Sequence, residues 1–127
     1  MDATAKPKKL LVVDDSKVSR MVIRARVKVV QPDWEIIEAA NGDEGIALAI
    51  AHQPDFCTMD INMPGILGTD AAEQILQKIP KLRLVIFSAN IQETFQERTA
   101  SMGALFVAKP VTEKSIAEAL KYFTECA

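Results

Sequence analysis

Long apolar runs are missing from this 127-residue sequence. No stretch approaches the ~18 residues that a membrane-spanning helix requires, and the opening MDATAKPKK has no apolar signal region. Cysteine is scarce: Cys57 and Cys126 stand in no metal or redox spacing, which fits a reducing cytosol rather than a disulfide scaffold. One histidine, His52, leaves no His-His pair to indicate zinc. Charge of one sign is not in excess either, with 15 Lys and Arg against 17 Asp and Glu and a formal net charge of -2. Nothing here supplies the strong basic field that direct nucleic-acid binding needs. The one basic cluster, Lys6, Lys8 and Lys9, falls at a short leader, residues 1–8, and reads as a solubilising tail. Repeats, low-complexity tracts and interior linkers are also absent. What is present, 49% apolar and 25% charged residues, is the composition of an ordinary globular domain. At roughly 150 residues per domain there is one, expected over residues 9–127 and in the cytoplasm.

The pattern alternates from end to end. Leu10 to Val13 is wholly apolar, as a strand covered on both faces is. Val18, Met21, Val22, Ala25 and Val29 then recur at helical spacing and are expected to face the core, until Gln31-Pro32-Asp33 interrupts. Trp34 to Ala39 reads as a second strand, closed by Asn41-Gly42, with a helix from Asp43 to His52. Phe56 to Met59 is a third strand, running into the loop Asn62-Met63-Pro64-Gly65. Ala72, Ile75, Leu76 and Ile79 mark the next helix, and Leu82 to Phe87 a fourth strand. Ile91, Phe95, Thr99 and Met102 mark a helical face closed by Gly103. Ala104 to Ala108 is the fifth strand, and Ile116, Ala119, Leu120 and Phe123 the inner face of a last helix. Strand-helix alternation of this kind implies parallel strands joined by right-handed crossovers. The expected fold is α/β: a doubly wound, flavodoxin-like five-stranded sheet in the order 2-1-3-4-5, with helices on both faces. Ligands of such sheets gather beyond the carboxyl ends of the strands, beside the point where the strand order reverses.

Asp14 and Asp15 follow the first strand, Asp60 the third, Ser88 the fourth and Lys109 the fifth. Any one alone reads as a helix cap or a solvated terminus; five at equivalent ends of adjacent strands do not. Three carboxylates crowded there would repel by ~3 kcal/mol per pair at ~5 Å and an effective dielectric near 20. Lys109 offsets one charge only. A hard dication bound by oxygen atoms is the natural remedy, and few protein ligands with several waters fits Mg²⁺. A metal, a hydroxyl and an ammonium beside a carboxylate imply a phosphoryl group as partner, with the carboxylate as its acceptor.

Val12-Val13-Asp14-Asp15-Ser16, Met59-Asp60-Ile61-Asn62-Met63-Pro64-Gly65, Ser88-Ala89 and Lys109-Pro110 together resemble the receiver domain of two-component response regulators. The resemblance spans about Lys9 to Phe123, with the motifs in order and at the right separations. With nothing substantial after the last helix, it is to the single-domain, CheY-like members. It implies that Asp60 accepts a phosphoryl group from a sensor histidine kinase or phosphotransfer protein. It implies Mg²⁺ held by the carboxylates of Asp15 and Asp60, by the backbone carbonyl of Asn62, and by Asp14 mostly through water. Ser88 would hydrogen-bond the phosphoryl group and Lys109 pair with it. The lysine-proline bond is commonly cis in such domains, an isomer that the sequence permits without requiring.

Receivers resemble two-state switches in which the hydroxyl after strand four moves toward the phosphate and an aromatic on strand five turns inward. Ser88 and Phe106 stand at those places. Serine here lacks the methyl of the commoner threonine, and phenylalanine lacks the hydroxyl of the frequent tyrosine, so coupling would run through packing. The output surface implied is helix four, strand five and helix five, with Gln92, Gln96, Lys114, Glu118, Lys121 and Tyr122 facing outward, to a downstream protein or to a second copy on phosphorylation. Chemotaxis and a phosphorelay are both open. Cys57 is expected to be a buried thiol, and Met21 and Met102 to lie on core stripes. Three rival readings follow from the same residues. A Mg²⁺-dependent phosphatase with an aspartyl-phosphate intermediate wants a second acid two residues after Asp60, where Asn62 stands. A flavodoxin wants a hydroxyl- and glycine-rich loop where Asp14-Asp15 would repel phosphate. A receiver-like module that is no longer phosphorylated would keep the fold and lose the kinase.

Overall fold

Covering a parallel sheet on both faces demands strands that are largely apolar, and the computed structural model, which describes residues 7–125, has them at the centre of the sheet. The strands are β1 (Lys9–Val13), β2 (Glu35–Ala39), β3 (Phe56–Met59), β4 (Arg83–Ser88) and β5 (Leu105–Ala108). All pair in parallel, in the order β2-β1-β3-β4-β5. Between and after them run α1 (Lys17–Val30), α2 (Gly42–His52), α3 (Gly68–Lys78), α4 (Glu93–Ser101) and α5 (Glu113–Glu125). This is the doubly wound architecture expected from the alternation, with strand ends shifted by a residue or so. Residues 1–6 of the expected leader and Cys126 lie outside the described residues, and β1 begins at Lys9.

Strand periodicity divides the core in two. Leu11 and Val13 of β1 point with Cys57 and Met59 toward Ala49, Ala71, Ala72 and Ile75 on α2 and α3. Leu10 and Val12 point the other way, with Phe56, Val85 and Phe87, toward α1 and α5. Ile116, Ala119, Leu120 and Phe123 are the buried face of α5, as their spacing required. Phe56 stacks on Phe123 and tilts against Trp34, both with centroids at 4.8 Å, so Trp34 is buried just ahead of β2. No described helix is long and apolar enough to cross a membrane.

One expected face is wrong. Val18, Met21, Ala25 and Val29 of α1 face solvent and Val22 is only half-buried; the residues that enter the core are Ile23 and Val27. Both sets recur at helical spacing, so periodicity could not choose between them. The phase is set at the start of the helix. The Ser16 side chain caps α1 by accepting from the Ser19 amide, and Arg20 reaches inward to the Asp14 carbonyl and to Glu38 on β2. Those ties leave Ile23 and Val27 on the sheet side. Met21 therefore leaves the core, whereas Met102 is half-buried against it. Ile91 likewise is exposed and precedes α4 rather than lining it; Phe95 and Thr99 hold that helix down.

Val27→Ala should therefore cost roughly 2 kcal/mol in urea unfolding, as loss of buried methyl groups does. Val29→Ala should change stability by less than about 0.5 kcal/mol. The reverse order would put the outer stripe in the core.

Candidate functional site

The sheet's register builds the site. Val13 is paired with Met59, and the ladder continues one residue further through the Asp60 amide, which donates to the Val13 carbonyl at 2.9 Å. The Asp14 amide likewise donates to Ala39 at 3.1 Å. Asp14 and Asp60 are thus neighbours because the strands before them are in register. At the other edge Ser88 pairs with Ala108, and the Lys109 amide donates to the Ser88 carbonyl at 2.9 Å. The Lys109–Pro110 peptide bond is cis.

One carboxylate oxygen from each of Asp14, Asp15 and Asp60 lies within 4.8 Å of the others. Asp14 and Asp60 are buried and Asp15 is exposed at the rim. Lys109 Nζ lies 2.7 Å from Asp14 Oδ2 and 3.8 Å from Asp60 Oδ2, so one ammonium serves two buried carboxylates. The second oxygen of Asp14 accepts from the Ser16 amide at 2.9 Å, and Asp60 Oδ1 accepts from the Ile61 amide at 2.9 Å. Burial pushes the Asp60 carboxyl up to about 6, opposed by the Lys109 charge and the Ile61 hydrogen bond and reinforced by Asp14 and Asp15. Three carboxylates against one ammonium leave two negative charges. An all-oxygen donor set with that surplus fits a hard dication and not a soft metal.

Ser88 is buried at the end of β4, and its hydroxyl oxygen accepts from the Asn90 amide at 3.0 Å. That leaves its proton free to be donated elsewhere. Asn62 is exposed, and its side-chain carbonyl accepts from the Asn90 side-chain amide at 3.0 Å. Phe106 is not at the carboxylate cluster: it pairs with Ile86 inside β5 and packs, half-buried, on the α3 side of the sheet. Cys57 is buried and its thiol is pushed far up by burial, so it is inert.

Two supporting residues escaped the sequence reading. Gly68, the first residue of α3, sits against the backbone of Asp60; a Cβ there would lie 1.7 Å from the Asp60 carbonyl oxygen. Its amide donates to Ile61 at 2.9 Å. Only glycine lets α3 close over the loop that carries Asp60. The available signal was a glycine opening a helix eight residues after that aspartate. Arg20 is the other: its guanidinium donates to the Asp14 carbonyl at 2.7 Å while Glu38 holds its Nε at 3.0 Å. An arginine in the first turn of a helix carries no such message in sequence.

The raised Asp60 carboxyl makes metal-free stability pH-dependent. The folded chain holds this proton more tightly than the unfolded chain, so the contribution of Asp60 to stability is full below about pH 4 and is lost as pH rises through about 6. The loss amounts to at most about 3 kcal/mol at 1.36 kcal/mol per pH unit of displacement. Asp60→Asn should be more stable than wild type in chelator at pH 7, and the advantage should vanish near pH 4. Urea unfolding of the pair at both values reads it, because the other carboxylates cancel in the difference. An Asn variant less stable at pH 7 would contradict the repulsion and burial described.

Comparison with known proteins bears on the family and the fold. The family model for the response regulator receiver domain matches residues 10–121. The chain is 36% identical over 115 residues to the chemotaxis protein CheY of Listeria monocytogenes, covering 89% of this chain and 95% of that protein. A CheY-like receiver domain protein from Methanospirillum hungatei shares the fold with a TM-score of 0.84 at 21% identity, over 91% of this chain and 92% of that one. CheY in the CheX-CheY-BeF3-Mg²⁺ complex of Borrelia burgdorferi superposes with a TM-score of 0.79 at 26% identity, over 93% and 90% of the two chains. This chain belongs to the receiver-domain family of response regulators.

Proposed function

We propose that this chain is the phosphoacceptor switch of a two-component system, taking a phosphoryl group on Asp60 from the phosphohistidine of a sensor histidine kinase or phosphotransfer protein. The observation that carries the reading is the shared ammonium: Lys109 reaches both Asp14 and Asp60 in a pocket that keeps surplus negative charge. In the transfer, a lone pair on an Asp60 oxygen forms the new O–P bond as the P–N bond to the imidazole breaks, and that bonding pair stays on the ring nitrogen. Asp15 and Asp60 would hold Mg²⁺ through their carboxylates, Asn62 through its backbone carbonyl and Asp14 mostly through water, and an ion there would supply charge to neutralise oxygens of the moving group. Receiver domains generally place Mg²⁺ at an acidic pocket, and the Borrelia complex carries BeF3 with Mg²⁺.

This chain's own groups have separate tasks. Asp60 Oδ1 is steadied by the Ile61 amide, and Oδ2 faces Lys109. A phosphoryl group on Asp60 offers Lys109 a second anion beside Asp14, so its ammonium can pair with the new charge without leaving the pocket. Ser88 donates its free proton to a phosphoryl oxygen while still accepting from Asn90. Phe106 then repacks beside Ile86, carrying the change to β5 and to the exposed face of α4 and α5, where a downstream protein binds. Water attack on phosphorus later restores the carboxylate, so the chain times a signal rather than turning over outside substrates. The phosphatase alternative lacks its acid at Asn62, and what speaks against the unphosphorylated module is that Asp60 shares one pocket with Asp14, Asp15 and Lys109.

Acetyl phosphate with Mg²⁺ should add one phosphoryl group by intact-mass measurement, transiently, and Asp60→Asn should abolish it. Steady phosphate release from many esters would instead support the phosphatase, and no gain in mass would support the silent module. Phe106→Ala should shrink the amide NMR shifts that fluoroberyllate and Mg²⁺ induce in β5 and α5, without preventing binding at Asp60. Undiminished shifts there would sink the Ser88–Phe106 coupling.

A further inference from the structure

The segments that follow β3 and β4 are tied to each other near the site and again farther out. Near the site the Asn90 side-chain amide donates to the Asn62 side-chain carbonyl at 3.0 Å. Farther out, Arg98 of α4 reaches across to α3. Its Nη2 lies 2.6 Å from Asp70 Oδ1 and 3.1 Å from Glu73 Oε2, and its Nη1 donates to Thr69 Oγ1 at 3.1 Å. Asp70 and Glu73 are half-exposed, and ion pairs with them alone would be worth little. Thr69 is fully buried, so its hydroxyl fixes where the guanidinium must sit.

Helix α3 lacks the usual hold on its start. Its N-cap position is Leu67, whose side chain accepts nothing from the first-turn amides. Among the described residues, no side chain other than Arg98 hydrogen-bonds to that turn. Thr69 directly follows Gly68, which lies against the Asp60 carbonyl and donates its amide to Ile61. The Ile61 amide in turn donates to Asp60 Oδ1. From guanidinium to carboxylate the path is short and packed throughout: Arg98, Thr69, Gly68, Ile61, Asp60.

With Asp60 as phosphoacceptor, the reading on which this rests, we infer that Arg98 is a positioning residue for the transfer. From α4 it clamps the first turn of α3, and that turn holds the Asp60 loop where the phosphoryl group arrives. A misplacement of about 1 Å costs on the order of a hundredfold in rate, so a loosened turn is felt at Asp60. Arginine suits the task because its planar fork holds a hydroxyl on one nitrogen and carboxylates on another; the point charge of lysine does not.

The full chain, phosphorylated by acetyl phosphate at saturating Mg²⁺ and followed by intact mass, reads the clamp. Arg98→Met keeps the aliphatic stem and Thr69→Val the buried volume. Arg98→Met should slow the maximal rate roughly tenfold at unchanged half-saturating acetyl phosphate, the split expected of lost positioning. Thr69→Val should slow it in the same way, and the double variant should be no slower than Arg98→Met, since both remove one shared hydrogen bond. Arg98→Lys should recover only part of the rate. Amide exchange at Gly68 should quicken in Arg98→Met and Thr69→Val while Val85 in β4 stays as in wild type. Rates equal to wild type, losses that multiply in the double variant, or full recovery by lysine would overturn the inference, even if the urea midpoint fell. A wild type that takes no phosphate would instead fail the phosphoacceptor reading, and the clamp's role in transfer with it.

Discussion

The pairing of Val13 with Met59 is the constraint on which the rest depends. Parallel strands in that register must leave the residues that follow them side by side, and here those residues are Asp14 and Asp60. Two buried carboxylates in contact range cost stability unless a cation is brought to them. Lys109 is that cation, delivered from the other end of the sequence by β5, and it reaches both. One ammonium against three carboxylates is an incomplete answer. The residual charge is what makes the pocket receptive to a dication and a phosphoryl group together.

Supporting residues keep this crowded arrangement in place rather than taking part in it. Gly68 lets α3 press on the Asp60 backbone, Arg20 holds the Asp14 carbonyl, and Ser16 both caps α1 and hydrogen-bonds an Asp14 oxygen. Each ties a helix start to a strand end. A pocket of like charges would otherwise relax by letting its loops move apart.

Much of this was legible in the sequence, for a physical reason. Strands covered on both faces are mostly apolar, so β1, β3 and β4 announce themselves, and the polar residues at their ends stand out as the site. Asp14, Asp15, Asp60, Ser88 and Lys109 could be picked on those grounds before any geometry. What could not be read was orientation. Helix α1 satisfies helical periodicity twice, once with Val18, Met21, Val22, Ala25 and Val29 and once with Ile23 and Val27, and only contacts with β1 and β2 decide which set is inward. Gly68 and Arg20 were hidden because their partners are backbone atoms, which leave no pattern in side-chain sequence. The failure on α1 is informative in itself: a stripe that looks like core and is not core is apolar for some other reason.

The claim beneath everything else is that the carboxylate pocket is destabilised by its own charge until a dication enters. Unfolding of the wild-type chain at pH 7, followed as Mg²⁺ is raised from chelator to a hundredfold above its dissociation constant, measures that relief directly. Stability should climb by about 2.7 kcal/mol over the titration. A midpoint indifferent to Mg²⁺ throughout the millimolar range would mean that Lys109 alone suffices, and that no ion is needed to hold Asp14, Asp15 and Asp60 together.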